Sequence, residues 1–211
     1  MMKLGVMGGT FDPVHYGHLV AAEGVRYEYR LDKVIFVPAG RPPHKPNYRI
    51  SDPEHRLALV RLAVASNPFF EVSDLEIERP GLSYTYDTIR EMRRLHDPDE
   101  IYFITGADAV LEILSWHRFE ELLEICRFIA ATRPGYELGG LTGRLRELPA
   151  HLVERIVPVE VPALAISSSD IRRRVREGRP IKYLLPESVE AYILSRALYK
   201  SELHQDQSFC K

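Results

Sequence analysis

A chain of 211 residues suits one large domain and is long enough to bury a full hydrophobic core. Its 45% hydrophobic and 27% charged residues are the proportions of a globular protein and exclude a collagen, a coiled coil and a disordered chain. Lys+Arg 28 against Asp+Glu 30 leaves a net charge of −2, so no global field recruits nucleic acid or an anionic membrane. The two cysteines, Cys126 and Cys210, are too few for a disulfide framework or a cysteine metal site. No apolar run approaches the ~20 residues of a membrane span, and Leu4–Met7 is too short for a signal-peptide core. These features lead to the expectation of a cytoplasmic protein in a reducing compartment.

Along the chain, short apolar strands alternate with helices. Lys3–Met7 reads as a strand that runs into a turn at Gly8-Gly9, with a helix from about Gly17 to Arg30. Lys33–Val37 is a second strand, ended by Pro38 and followed by the Pro-rich loop 40–47. Ser51-Asp52-Pro53-Glu54 is a helix start, with a polar cap, a proline and an acid in order, and Leu57, Val60 and Val64 follow at helical spacing. Phe69–Val72 is a third strand, and Ser83 or Thr85 opens a helix through Leu95. Glu100–Thr105 is a fourth strand ended by Gly106, with a helix expected from Ala107 to about Glu124. Phe128–Ala131 and Ile156–Val161 are the fifth and sixth strands, and Pro158 marks the sixth as a sheet edge. Two helices, Ser169–Glu177 and Pro186–Tyr199, complete one domain over 1–199, and 200–211 reads as a frayed polar tail. The alternation predicts the α/β class, with a mainly parallel sheet and helices on both faces.

The segment Gly8-Gly-Thr-Phe-Asp-Pro-Val-His-Tyr-Gly-His18 carries the chemistry. It follows the first strand, and ligands in open α/β sheets bind outside the carboxyl ends of strands. Glycines and a helix start expose amides to an anion. His15 and His18 stand three apart at that start, which turns both imidazoles to one side, and Gly17 removes a side chain between them. Asp12-Pro13 reads as a turn. Downstream, Ser167, Ser168 and Ser169 open a helix and Arg172 adds a cation one turn in, a second phosphate-binding pattern. Asp108 can accept from ribose hydroxyls, and Trp116, the one tryptophan, can stack on a ring or simply pack in the core.

The long glycine-histidine pattern resembles the H-x-G-H nucleotidyltransferases, and the chain from Lys3 to about Tyr199 looks like the bacterial nicotinate-nucleotide adenylyltransferases. Pro42-Pro-His-Lys45, Ser83-Tyr-Thr-Tyr-Asp-Thr88, Ile104-Thr-Gly-Ala-Asp108 with Trp116-His117, Arg133-Pro-Gly135, and Ile166-Ser-Ser-Ser-Asp-Ile-Arg172 support that resemblance. The last resembles I-S-S-T-x-I-R, with Ser169 in place of threonine. The resemblance implies a Rossmann-like, doubly wound nucleotidyltransferase fold and adenylyl transfer from ATP to nicotinate mononucleotide in NAD biosynthesis. It implies catalytic roles for His15, His18, Lys45 and Arg172. ATP would meet Gly8, Gly9, Thr10, Phe11, His15, His18, Gly106, Ile166, Ser167, Ser168, Ser169 and Arg172. The mononucleotide would meet His44, Lys45, Ser83, Tyr84, Thr85, Asp108, Trp116 and Arg133. Mg²⁺ would come with ATP, without a dedicated carboxylate cage.

The acceptor phosphate is already ionised, so the reaction needs no general base, and catalysis reduces to positioning and charge stabilisation. A protonated His15 or His18 would stabilise charge better, though a neutral ring still donates one hydrogen bond. Nicotinamide mononucleotide or phosphopantetheine remain as alternative acceptors. A non-catalytic nucleotide-binding regulator and a nucleic-acid module fit less well, since His18, Lys45 and Arg172 are all present and the net charge is negative. A homo-oligomer stays open.

Overall fold

The computed structural model describes residues 1–43, 50–106, 113–132, 149–162 and 164–200. Strands β1 (Lys3–Gly9), β2 (Lys33–Pro38), β3 (Phe70–Val72), β4 (Glu100–Gly106), β5 (Arg127–Thr132) and β6 (Ile156–Glu160) form one six-stranded sheet in the order β3-β2-β1-β4-β5-β6. Every pairing is parallel. The helices are α1 (Tyr16–Tyr29), α2 (Pro53–Val64), α3 (Leu75–Glu78), α4 (Thr85–His96), α5 (Phe119–Ile125), α6 (Ala150–Val153), α7 (Ser168–Arg176) and α8 (Glu187–Ser195).

Alternation along each strand sends neighbouring side chains to opposite faces and so builds two cores. Met7, Val34, Phe36, Ile104 and Ile129 meet Ala22 and Val25 of α1, Val60 of α2, Ile171 of α7 and Ile193 of α8. Leu4, Val6, Ile35, Phe103 and Phe128 meet Ile89 and Met92 of α4, Leu122 of α5 and Leu152 of α6. Each large aliphatic side chain fully removed from water contributes ~2 kcal/mol, which is why strands this apolar occupy the middle of the sheet. Pro158 pairs with Ala130 on the edge strand β6, where its missing N–H costs no sheet hydrogen bond. Asp52 caps α2 by accepting from the Glu54 amide at 2.9 Å, with Pro53 at the first helical position.

Several local expectations change. Gly8 and Gly9 do not turn: they are the last residues of β1, opposite Val37 and Pro38. A Cβ at Gly8 would lie 3.0 Å from the Phe103 ring, and one at Gly9 would lie 3.0 Å from the Phe11 ring. Close aromatic packing, rather than a turn, requires glycine there. The helix expected over 107–124 is not continuous. Residues 107–112 lie outside the described residues; then come a 3₁₀ turn at Ile113–Ser115 and a break at Trp116–Arg118, with Arg118 at φ 55°, before α5. Trp116 leaves the helical path to set its ring edge-on to Phe103 and Phe128, at 5.8 and 6.0 Å. In the run Ser167–Ser169 any hydroxyl could cap, and the structure uses Ser167, which accepts from the Asp170 amide at 3.2 Å. The one-turn helices α3 and α6 are too short to show a hydrophobic period in sequence.

Candidate active site

The chain leaves β1 toward β2 on one side, while β4 lies against β1 on the other, with Met7 opposite Ile104. This reversal of strand order opens a crevice at the carboxyl ends of β1 and β4, which end in Gly9 and Gly106. Residues 10–15 cross its mouth and deliver the chain to α1.

Phe11 holds this loop in a left-handed conformation at φ 49°, with its ring buried edge-on to His18 at 5.1 Å. A non-glycine residue there costs on the order of 1–3 kcal/mol and persists because its surroundings enforce it. Spacing does place the two histidines together, their rings 3.8 Å apart and tilted by 30°. The His15 amide donates to Nδ1 of His18 at 3.2 Å. A ring nitrogen that accepts carries no proton, so neutral His18 carries its proton on Nε2 and can donate from there. His15 Nδ1 is buried and has no hydrogen-bond partner among the described residues. A Cβ at Gly17 would lie 3.0 Å from the His15 ring, so this glycine makes room for His15 itself.

Burial lowers the His15 pKa from 6.5 to about 4. Burial, and then the neighbouring His15, also hold His18 well below 6.5. Both rings are therefore neutral at pH 7, so of the two protonation states weighed from sequence it is the neutral ring, with one hydrogen bond to donate, that burial favours. An unfolded chain protonates these rings near pH 6.5 and so binds more protons than the folded one below that pH. Their contribution to stability is complete above pH 6.5 and is lost as pH falls toward about 4. The urea midpoint is expected to be lower at pH 5 than at pH 7, with a smaller drop in His15→Asn. An equal drop in both proteins would assign the effect to other groups.

Asp12 is more than the turn residue expected from sequence. It is 4% exposed, and its carboxylate accepts from the Ser51 amide at 3.3 Å. Arg172 of α7 donates to the Asp12 carbonyl at 2.5 Å and to Ser169 Oγ at 3.2 Å. Ser168 Oγ donates to the Pro13 carbonyl at 2.8 Å, so the serine-rich start of α7 is fastened to residues 12–13. Beneath the loop lies Arg56 of α2, fully buried. It donates from Nε to Ser51 O at 2.9 Å, from one terminal nitrogen to Thr10 O at 2.9 Å, and from the other to Gly40 O at 3.3 Å. Burial disfavours its charge, while the carboxylate of Asp12 favours it. Sequence reading passed over Arg56, although a charge four residues before Val60 on the apolar face of α2 is an available signal.

On the β2 side of the crevice, Ser83 Oγ accepts from the Gly40 and Arg41 amides at 3.0 and 3.1 Å and hydrogen-bonds Glu76. Its hydroxyl is thus committed to holding the loop after β2. Glu76, buried and shifted upward by that burial, accepts from Thr88 at 2.5 Å. Thr85 begins α4, and no side chain caps that helix: its cap position is Tyr84, whose ring lies against His117 at 4.4 Å. Trp116 packs partly buried against the second core. Ile166 packs on the first core beside α7. His44, Lys45, Asp108 and Arg133 lie outside the described residues.

Paired imidazoles at a helix start, a serine-arginine helix facing them, and a crevice at the switch point of a parallel sheet define a nucleotide-binding α/β protein of the nucleotidyl-transferring class. The cytidylyltransferase-like family model matches residues 6–174. A probable nicotinate-nucleotide adenylyltransferase of Moorella thermoacetica is 59% identical over 202 residues, covering 95% of this chain and 93% of that one. The protein of the same name from Thermoanaerobacter sp. is 57% identical over 202 residues, covering 95% and 96%. The nicotinic acid mononucleotide adenylyltransferase of Plasmodium falciparum, solved with NaAD, shares the fold at a TM-score of 0.74 and 20% identity, over 94% of this chain and 98% of that one. The chain belongs to the cytidylyltransferase-like family and, within it, to the nicotinate-nucleotide adenylyltransferases.

Proposed function

We propose that the chain transfers the adenylyl group of ATP to nicotinate mononucleotide, giving nicotinate adenine dinucleotide and pyrophosphate in NAD biosynthesis. The observation that carries the mechanism is the histidine pair, with His18 fixed as an Nε2–H donor by the His15 amide. The 5′-phosphate oxygen of the mononucleotide attacks the α-phosphorus of ATP. The bond from that phosphorus to the bridging oxygen breaks, and pyrophosphate leaves with its electron pair. No proton has to be removed. His18 donates to an α-phosphate oxygen as charge grows there, and His15 lies beside it. Arg172 and the first-turn amides of α7 face the leaving group, since the Ser168 hydroxyl already donates to Pro13. Lys45 and His44 complete the phosphate contacts in this reading, and Gly8–Phe11 approach the nucleotide by backbone.

Mg²⁺ enters as part of the MgATP substrate in this reading, most of its ligands being phosphate oxygens and water. The uncapped start of α4 at Tyr84-Thr85 supports a carboxylate-bearing ring, because helix N-terminal amides favour an anion. Asp108, Trp116 and Arg133 line the acceptor in this reading. The working unit is one domain over 1–199, acting in the cytoplasm; no helix among the described residues is long and apolar enough to cross a membrane.

Pyrophosphate release tests this directly, with MgATP and, in parallel, nicotinate mononucleotide, nicotinamide mononucleotide and phosphopantetheine. Strong preference for the nicotinate form is expected. Equal use of acid and amide would keep the chemistry and discard the carboxylate site at α4. Turnover of phosphopantetheine alone would overturn the acceptor assignment.

A further inference from the structure

Beyond α8 the chain doubles back: Ala197 and Tyr199 both take left-handed conformations, at φ 51° and 65°. Two non-glycine residues so placed carry a backbone cost, and what they achieve is delivery of the Tyr199 ring to the floor of the site. There its hydroxyl donates to Oδ1 of Asp12 at 2.9 Å, across 187 residues of sequence. The other carboxylate oxygen of Asp12 faces the Ser51 amide, and Arg172 lies 3.9 Å from that same oxygen. Asp12 therefore stands between two groups: Tyr199 on one oxygen, and on the other side the guanidinium that also grips the Asp12 carbonyl.

We propose that Tyr199 is a positioning residue of the adenylyl-transfer site, holding the Asp12 carboxylate so that Arg172 presents its fork to the leaving pyrophosphate. This rests on the reading of Arg172 given above. A guanidinium has five N–H donors, and two of its hydrogen bonds here run to Asp12 O and Ser169 Oγ, so its aim is set by where Asp12 lies. Burial, and then the charge of Asp12, push the Tyr199 hydroxyl far above its ordinary range, which keeps it a donor at any working pH. The ring also packs on the core shared by α1, α2, α7 and α8, so Tyr199→Phe removes the hydroxyl while leaving the packing in place.

Tyr199→Phe is expected to lower kcat/KM for ATP about tenfold, the effect of one hydrogen bond to a charged group, while KM for nicotinate mononucleotide stays at the wild-type value. Asp12→Asn should act on the same quantity, and the double variant should be no worse than the more impaired single one. Pyrophosphate affinity, measured by calorimetry, needs no acceptor, and it should weaken in Tyr199→Phe by a similar factor. That binding readout separates failure of this proposal from failure of the acceptor assignment. Wild-type pyrophosphate affinity together with wild-type kcat/KM for ATP would overturn the proposal. So would a loss of thermal stability with both quantities unchanged per folded molecule, because that describes a purely structural tyrosine.

Discussion

Replacing His18 by alanine is expected to lower turnover by more than about a hundredfold, the cost of losing one donor aimed at developing charge. His18 has two separable jobs. Its Nδ1 receives the His15 amide, which helps close the first turn of α1, and its Nε2–H is the donor to substrate in the proposed mechanism. His18→Asn separates them, because an asparagine oxygen can occupy the Nδ1 position but offers nothing at Nε2. The asparagine variant should recover the stability lost in His18→Ala and recover little of the turnover. Steady-state kinetics beside a urea titration checks both. Near-normal turnover in a folded His18→Ala protein would remove His18 from the mechanism.

Arg56 carries the largest expected effect on stability. It reaches the carbonyls of Thr10, Gly40 and Ser51 at once, so one side chain ties the loop after β1, the loop after β2 and the entry to α2. Arg56→Met fills similar space but takes the donor from three partly buried carbonyls and leaves Asp12 without its deep-lying countercharge. Breaking a buried charged network in this way costs about 3–5 kcal/mol. Arg56→Lys should be little better, since an ammonium cannot span three carbonyls set for a planar fork. Chemical denaturation measures this, and a cost under about 1 kcal/mol would show the three carbonyls to be satisfied without Arg56. Turnover should fall in both variants, because Thr10 and Gly40 flank the crevice.

What could be read along the chain was the part that is local and periodic. Six strands alternating with helices, the edge position of Pro158, and the Asp52-Pro53 helix start all follow from side-chain period, capping and the missing proline N–H. The H-x-G-H spacing foretold that His15 and His18 would meet, because three residues at a helix start return the chain to the same side. The strand order, the extended course of Gly8-Gly9, the contacts of Asp12 beyond its turn, and the break at Trp116–Arg118 could not be read this way. Each depends on a partner distant in sequence: Phe103 packing on Gly8, Tyr199 and Arg172 on Asp12, and Phe128 on Trp116.

The sequence by itself determined the class of fold and the meeting of His15 with His18, because those depend on residues within a few positions of one another. Only the tertiary structure decided the protonation of that pair, since burial sets it, and the contacts of Asp12, Arg56 and Tyr199. A buried charge or hydroxyl acquires its function from the groups that surround it, and here those groups come from chain segments 39 to 187 residues away from Asp12.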